Sequence, residues 1–142
     1  MENPQIVVAV GAVIKDGDER ILLVRHIPER EGFWKGKWIC PGGKLQVEES
    51  IEEGIVREVA EETHLGIRLI APLVPFERIV KDEDQITLHV IYIDYLAEVV
   101  GGELKADSDV GEAIWVDKDT LLEMWEELHE DTQRLLGIAR IV

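Results

Sequence analysis

Apolar and polar positions alternate in blocks that divide the chain into recognisable elements. QIVVAVGAVI (5–14) is an apolar run rich in β-formers, and the KDGDER that follows reads as a hairpin turn centred on Asp16-Gly17. ILLVRH (21–26) is the returning strand. A polar, glycine-containing loop, PEREGFWKGK (28–37), comes next, and WICPGG then leads from a short strand into a turn. Residues 50–63 predict a helix: Ser50 suits an N-cap, Glu53 stands three positions later as in a capping box, and acids crowd the first turn. Two β runs follow, RLIAPLVPFERIV (68–80) and QITLHVIYIDYLAEVV (85–100). An acidic loop (101–112) leads to a short strand, AIWV (113–116). Asp117 to Leu136 predicts a helical segment broken near His129 or Glu130. Strands, a helix, more strands and a terminal helix describe a mixed α/β domain. No repeat or Pro/Gly/Ser-rich linker interrupts it, so one domain is expected over residues 1–142.

Composition narrows the class. With 46% hydrophobic and 32% charged residues, the 142-residue chain suits a globular protein with a core of its own. No apolar run reaches the roughly 20 residues of a membrane helix, so no membrane partner is expected. The start, MENPQIVVAV, lacks the basic-then-apolar pattern of a secretory signal. Cys40 is the single cysteine, which excludes an internal disulfide, and a cytoplasmic location is expected. The 15 basic and 30 acidic side chains leave a net charge of -15. Such a surface repels a nucleic-acid backbone but admits a small phosphorylated ligand if cations intervene.

The chemistry concentrates in GGKLQVEESIEEGIVREVAEETHLGI. Between positions 48 and 62 stand seven glutamates (48, 49, 52, 53, 58, 61, 62) and one base, Arg57. On a helix Glu58 and Glu62 lie about 40° apart with Glu61 beside them, and like charges so spaced destabilise the helix. Glu62 also borders the apolar stripe of Ile55, Val56, Val59 and Ala60. Two readings fit the spacing: a solvated acidic face, or oxygen ligands for a hard divalent cation that would screen and polarise a phosphate.

The segment resembles the Nudix box, spanning 43–65. Gly43, Glu49, Arg57, Glu58, Val59, Glu61, Glu62 and Leu65 match eight of its nine specified positions, and His64 stands where the family has its second glycine. The resemblance implies the Nudix α/β/α sandwich, a mixed β-sheet between helices. It also implies Mg²⁺-dependent hydrolysis of a pyrophosphate bond in a nucleoside diphosphate derivative, with Mn²⁺ as a substitute. Carried onto this chain, Glu58 and Glu62 become the core metal ligands, Glu61 an added ligand or water-orienting group, and Gly43 the source of a backbone carbonyl. Glu49 and Arg57 would brace the loop against the helix. A further loop carboxylate is expected from Asp107, Asp109 or Glu112, with Glu112 preferred for its place three residues before Trp115. His64 would alter the helix exit more than the chemistry.

Outside the box, Arg25, Lys35, Lys37 and Lys44 are the candidate phosphate-binding cations. Trp34 and Trp125 are candidates to stack on a base. Trp38, Trp115 and Cys40 read as packing. The short chain and its KGKW-x-x-PGGK segment resemble the MutT type, which implies a nucleoside triphosphate cleaved to monophosphate and pyrophosphate. ADP-ribose or a nucleotide sugar is the alternative substrate, and an inactive Nudix binding or sensor module the alternative of another class. A small-molecule nucleotide is the expected partner. A homodimer is compatible with the sequence, which does not encode the oligomeric state legibly.

Overall fold

In the computed structural model, which describes residues 5–142, a seven-stranded mixed sheet lies between helices. The first four residues of the segment read for a secretory signal lie outside the described residues. Strand β1 (Ile6–Lys15) runs through the middle, parallel to β6 (Gln85–Gly102) and antiparallel to β2 (Ile21–His26). A three-residue strand, β3 (Gly42–Lys44), pairs with the first half of β1. Strands β4 (Leu65–Pro72) and β5 (Phe76–Asp82) share the outer edge of β6, and β7 (Val110–Val116) pairs with β2.

Helix α1 (Ile51–Thr63) covers one face of the sheet, and its Ile55 and Val59 pack on Val10, Ala12, Ile14, Leu22 and Ala97. The C-terminal segment covers the other, burying Val13, Leu23, Trp38 and Phe76 under Leu121, Leu128, Leu135 and Leu136. Both faces are therefore covered over residues 10–14 of β1, which explains the apolar sequence there. Helix α1 starts as the sequence predicts: Ser50 Oγ accepts from the Glu53 N–H at 3.1 Å and Glu53 Oε1 from the Ser50 N–H at 3.0 Å.

Four boundaries differ from the sequence reading, each for a local reason. The first hairpin closes through residues 16–20 rather than on Asp16-Gly17. Asp16 Oδ1 accepts the N–H groups of Asp18 and Arg20, and Glu19 takes the left-handed conformation (φ 62°). The run expected over 68–80 begins at Leu65 and is split between Pro72 and Phe76, where Pro72 and Pro75 have no N–H to continue a ladder. Strand β7 begins at Val110 rather than Ala113, because His26 and Arg25 extend its pairing with β2. The terminal helical segment breaks from Met124. Helix α2 (Lys118–Glu123), capped by Asp117, passes into a 3-10 turn (Trp125–Glu127), and α3 (Glu130–Ile138) restarts after His129. Among the described residues no helix is long and apolar enough to cross a membrane.

Because α1 carries its acids on a helix held by one capping box, Ser50→Ala is expected to lower stability by about 1 kcal/mol in denaturant unfolding. A loss below about 0.3 kcal/mol would mean that tertiary packing alone fixes the helix start.

Candidate active site

The acids of α1 meet the backbone of β3 at close range. A Cβ on Gly43 would stand 2.5 Å from the Glu58 carboxyl, and one on Gly42 would overlap the carbonyl of Val10. Only glycines fit between β1 and the helix. The Gly42 N–H donates to Glu62 Oε1 at 2.9 Å. The β1–β3 ladder fixes which carbonyls face which way: the Leu45 N–H bonds the Val8 carbonyl, and the Ala12 N–H bonds the Pro41 carbonyl. By the alternation of an antiparallel pair, the polar groups of Gly43 turn toward β1 and those of Gly42 and Lys44 turn toward α1. The backbone that faces the acids is thus Gly42's, one residue before the position expected.

Arg57 organises the acids around it. Its Nε and Nη2 donate to the two oxygens of Glu49 at 2.8 and 2.7 Å. Its Nη1 reaches Glu58 at 2.9 Å and Glu61 at 3.2 Å, and Nη2 also reaches the Lys44 carbonyl at 3.3 Å. This guanidinium, aided by the Gln46 N–H, holds the Glu49 carboxyl down to about 2. Glu58 goes the other way, because burial outweighs the help of Arg57 and raises its pKa. Glu62 is 5% exposed, and among the described residues its side chain has the Gly42 N–H as its partner. Burial pushes it up to about 8, the Gly42 N–H opposing and the charge of Glu58 adding.

Among the described residues no three His, Cys, Asp or Glu side chains converge as a ready metal cluster. Arg57 engages Glu58 and Glu61, and Gly42 engages Glu62. The donor set nevertheless fits a divalent cation. Two largely buried carboxylates one turn apart, with a backbone carbonyl beside them, are hard oxygen donors whose burial costs free energy until positive charge arrives.

A cavity of about 420 Å³ opens on these acids. It passes Gly42, Gly43, Lys44, Glu58 and Glu62 and continues over the face of β1 and β6 that α3 covers. There it is lined by Trp34, Phe76, Tyr92, Asp94, Asp131 and Leu135. The structure brings Lys44 and Trp34 to this cavity, as the sequence reading expected of them. It does not bring the other binding candidates there. Arg25 and Glu112 pair with each other across β2 and β7, and the Arg25 guanidinium lies over the Trp38 ring. Lys35 pairs with Glu31 at 2.7 Å, and Lys37 donates to the Glu126 carbonyl at 3.1 Å. Trp125 opens the 3-10 turn and packs on the core. Of the three loop acids, Asp109 lines the cavity and pairs with Arg30.

Asp107 instead meets His64 Nε2 at 2.7 Å. His64 adopts the left-handed conformation (φ 62°) that the family's glycine position requires, and its ring ties the helix exit to the acidic loop. The sequence reading missed Asp94, Asp131, Tyr92 and Arg30. An acid inside the apolar strand VIYIDYL was the one local signal available for Asp94. Asp131 and Tyr92 become neighbours only through the fold.

The fold and site define an α/β/α sandwich with an acid-bearing helix docked on a glycine strand beside a cavity. The family model for the Nudix domain matches residues 5–136, and the chain belongs to that family. It is 36% identical over 114 residues to the ADP-ribose pyrophosphatase of Methanocaldococcus jannaschii, covering 80% of this chain and 63% of that one. It thus spans just under two thirds of that relative's length. Among solved structures, the MutT protein of Methanosarcina mazei Go1 superposes with a TM-score of 0.75 at 28% identity, covering 99% of this chain and 95% of that one. A Nudix hydrolase of Nitrosomonas europaea superposes at 0.78 over 96% and 89% of the two chains, and at 22% identity that likeness concerns the fold.

The raised Glu62 pKa has a consequence for stability without metal. A carboxyl that holds its proton more tightly when folded stabilises least at high pH: stability falls as pH rises from about 4.5 through 8. Glu62→Gln is therefore expected to melt near wild type at pH 4.5 and at least about 3 °C higher at pH 8, in chelator. Equal melting temperatures at both pH values would show that Glu62 is not buried as a lone carboxyl.

Proposed function

We propose that the chain is a divalent-cation-dependent hydrolase of the pyrophosphate bond in nucleoside diphosphate derivatives. One observation carries this reading: the α1 carboxylates of half-buried Glu58 and buried Glu62 open onto a cavity that is also lined by Trp34, Phe76 and Tyr92. In this reading Glu58, Glu62 and the Gly42 carbonyl hold Mg²⁺, with Mn²⁺ as a substitute. The ion when bound supplies charge neutralisation at the phosphates and lowers the pKa of a coordinated water.

The chain's own residues do the rest. Glu49 fixes Arg57, and Arg57 fixes Glu58 and Glu61, so that the acids keep their spacing against like-charge repulsion. The more exposed Glu61 orients the attacking water or adds a ligand. Lys44, with Arg30 at the mouth beside Asp109, meets the phosphates. Asp109, from the acidic loop, takes the assisting role first given to Glu112. Water attacks one phosphorus, the bridging P–O bond breaks, and the water proton passes to a carboxylate.

For substrate we place nucleoside triphosphates first. One nucleoside fills the cavity, and the pyrophosphate that leaves needs no second chamber. ADP-ribose is the second reading, favoured by the identity to the Methanocaldococcus protein named for that activity. The retained Arg57, Glu58, Glu61 and Glu62 weigh against an inactive binding module.

A panel of nucleoside triphosphates and ADP-ribose, read for pyrophosphate and for ribose 5-phosphate, tests all three readings. Turnover should vanish in chelator and return with Mg²⁺ or Mn²⁺. Glu62→Gln should lose at least about 100-fold in kcat, roughly 2.7 kcal/mol, while Glu52→Gln, on another face, loses little. Full turnover in excess chelator, or near-normal turnover of Glu62→Gln, would reject the mechanism. Binding without turnover of any substrate would favour the module.

A further inference from the structure

The Asp94 side chain is 7% exposed, its Oδ2 has no hydrogen-bond partner among the described residues, and it lines the cavity on its β6 side, near Pro41 and Gly42. It stands on β6 two residues after Tyr92, on the same face of the strand, and opposite Gly11 of β1. A Cβ on Gly11 would come 2.8 Å from Asp94 Oδ1 and 2.6 Å from the Pro41 carbonyl, so the floor beside the carboxyl must be bare. The neighbouring polar groups are already committed to one another. Trp34 Nε1 donates to the Tyr92 hydroxyl at 3.0 Å, that hydroxyl donates to Asp131 at 2.5 Å, and Arg78 closes the set on Asp131 at 2.6 and 2.9 Å. Asp94 is outside this network. A buried polar group without a partner costs stability, so one retained beside a cavity calls for a reason.

We propose that Asp94 is the specificity-determining contact of the cavity, accepting a hydrogen bond from the exocyclic amino group of a nucleobase. The proposal rests on the nucleotide reading above. The aromatic walls suit a planar ring and the α1 end suits phosphates, and a base lying over β6 between them turns its edge to Asp94. An amino-bearing base (adenine, guanine or cytosine) supplies the N–H that the carboxyl lacks. The deaminated counterpart either presents a carbonyl oxygen there or lacks the donor, and leaves the carboxyl unpaired. Burial pushes that carboxyl up to about 7. It can therefore also offer a proton to the ring nitrogen beside the amino group of adenine or cytosine.

The test measures binding of nucleoside monophosphates in pairs that differ at one amino group: AMP with IMP, GMP with IMP, CMP with UMP. Wild type, Asp94→Asn and Asp94→Ala are compared by calorimetry on the whole chain. For at least one pair the wild type should bind the amino-bearing member at least about tenfold tighter. Both variants should compress that ratio to about threefold or less, while melting no lower than wild type without nucleotide. Any substrate found in the turnover panel should show raised KM with kcat nearly kept. A wild-type ratio near one for every pair, or a ratio preserved in both variants, would overturn the assignment of Asp94. If wild type neither binds a monophosphate nor hydrolyses any nucleotide, the nucleotide reading itself falls and takes Asp94 with it. Hydrolysis with an unaltered base preference in the variants rejects Asp94 alone.

Discussion

The site depends on how closely β3 can approach α1. Gly42 and Gly43 are squeezed between the backbone of β1 and the carboxyls of Glu58 and Glu62, and a methyl group on either would collide with its neighbours. This contact brings a backbone N–H to Glu62, sets the distance of the helix from the central strand and aims the acids at the cavity rather than at bulk water. An alanine here would not merely strain a turn. At Gly42 it would collide with the β1 backbone at Val10 and Gly11, and at Gly43 it would displace the Glu58 carboxyl.

An acidic helix pressed on a sheet has to manage its own repulsion. The chain does so by setting Arg57 among the acids on one side. Arg57 contacts Glu49, Glu58 and Glu61, and the Ser50–Glu53 capping box absorbs a further acid at the positive end of the helix. Glu62 is left out of this arrangement. The helix is thus stabilised where its acids are exposed or bridging, and left under tension where they face the cavity. Occupation by a cation relieves that tension in the proposed reading, so the stability of this element and the loading of the site are one equilibrium.

Much of this was legible in the sequence, and for particular reasons. The helix 50–63 could be read because its cap, its acid crowding and its apolar stripe all agree, and its observed span differs only at the N-cap. The acids of the box could be read because their spacing is local. The exit at His64 could not: an altered exit is the expectation for a histidine there, yet the structure keeps the left-handed conformation (φ 62°). What else could not be read depends on distant partners. Arg25 and Glu112 each resembled site residues in isolation, but strand pairing sets them against one another. Trp125 and Trp34 were equivalent in sequence, and only the packing of the 3-10 turn sets one against the core while the loop delivers the other to the cavity. The Gly42–Gly43 distinction needed the ladder register, which no single-residue pattern encodes.

Three buried acids show how satisfaction separates structural from ligand-facing roles. Asp131 is 4% exposed but accepts from Arg78 and Tyr92, and its network joins α3 to β5 and β6. A carboxylate so paired holds elements together. Glu62, similarly buried, has one N–H, and Asp94 has no partner for Oδ2. Burial is nearly equal across the three; what differs is how much of the desolvation cost the protein offsets by itself. The deficit at Glu62 lies where a cation would sit, beside a second carboxylate and a carbonyl. The deficit at Asp94 lies among aromatic walls, with no second acid to share an ion and a bare glycine floor beside it. The same accounting that calls for charge beside α1 therefore calls for a planar hydrogen-bond donor over β6, and a nucleotide presents both.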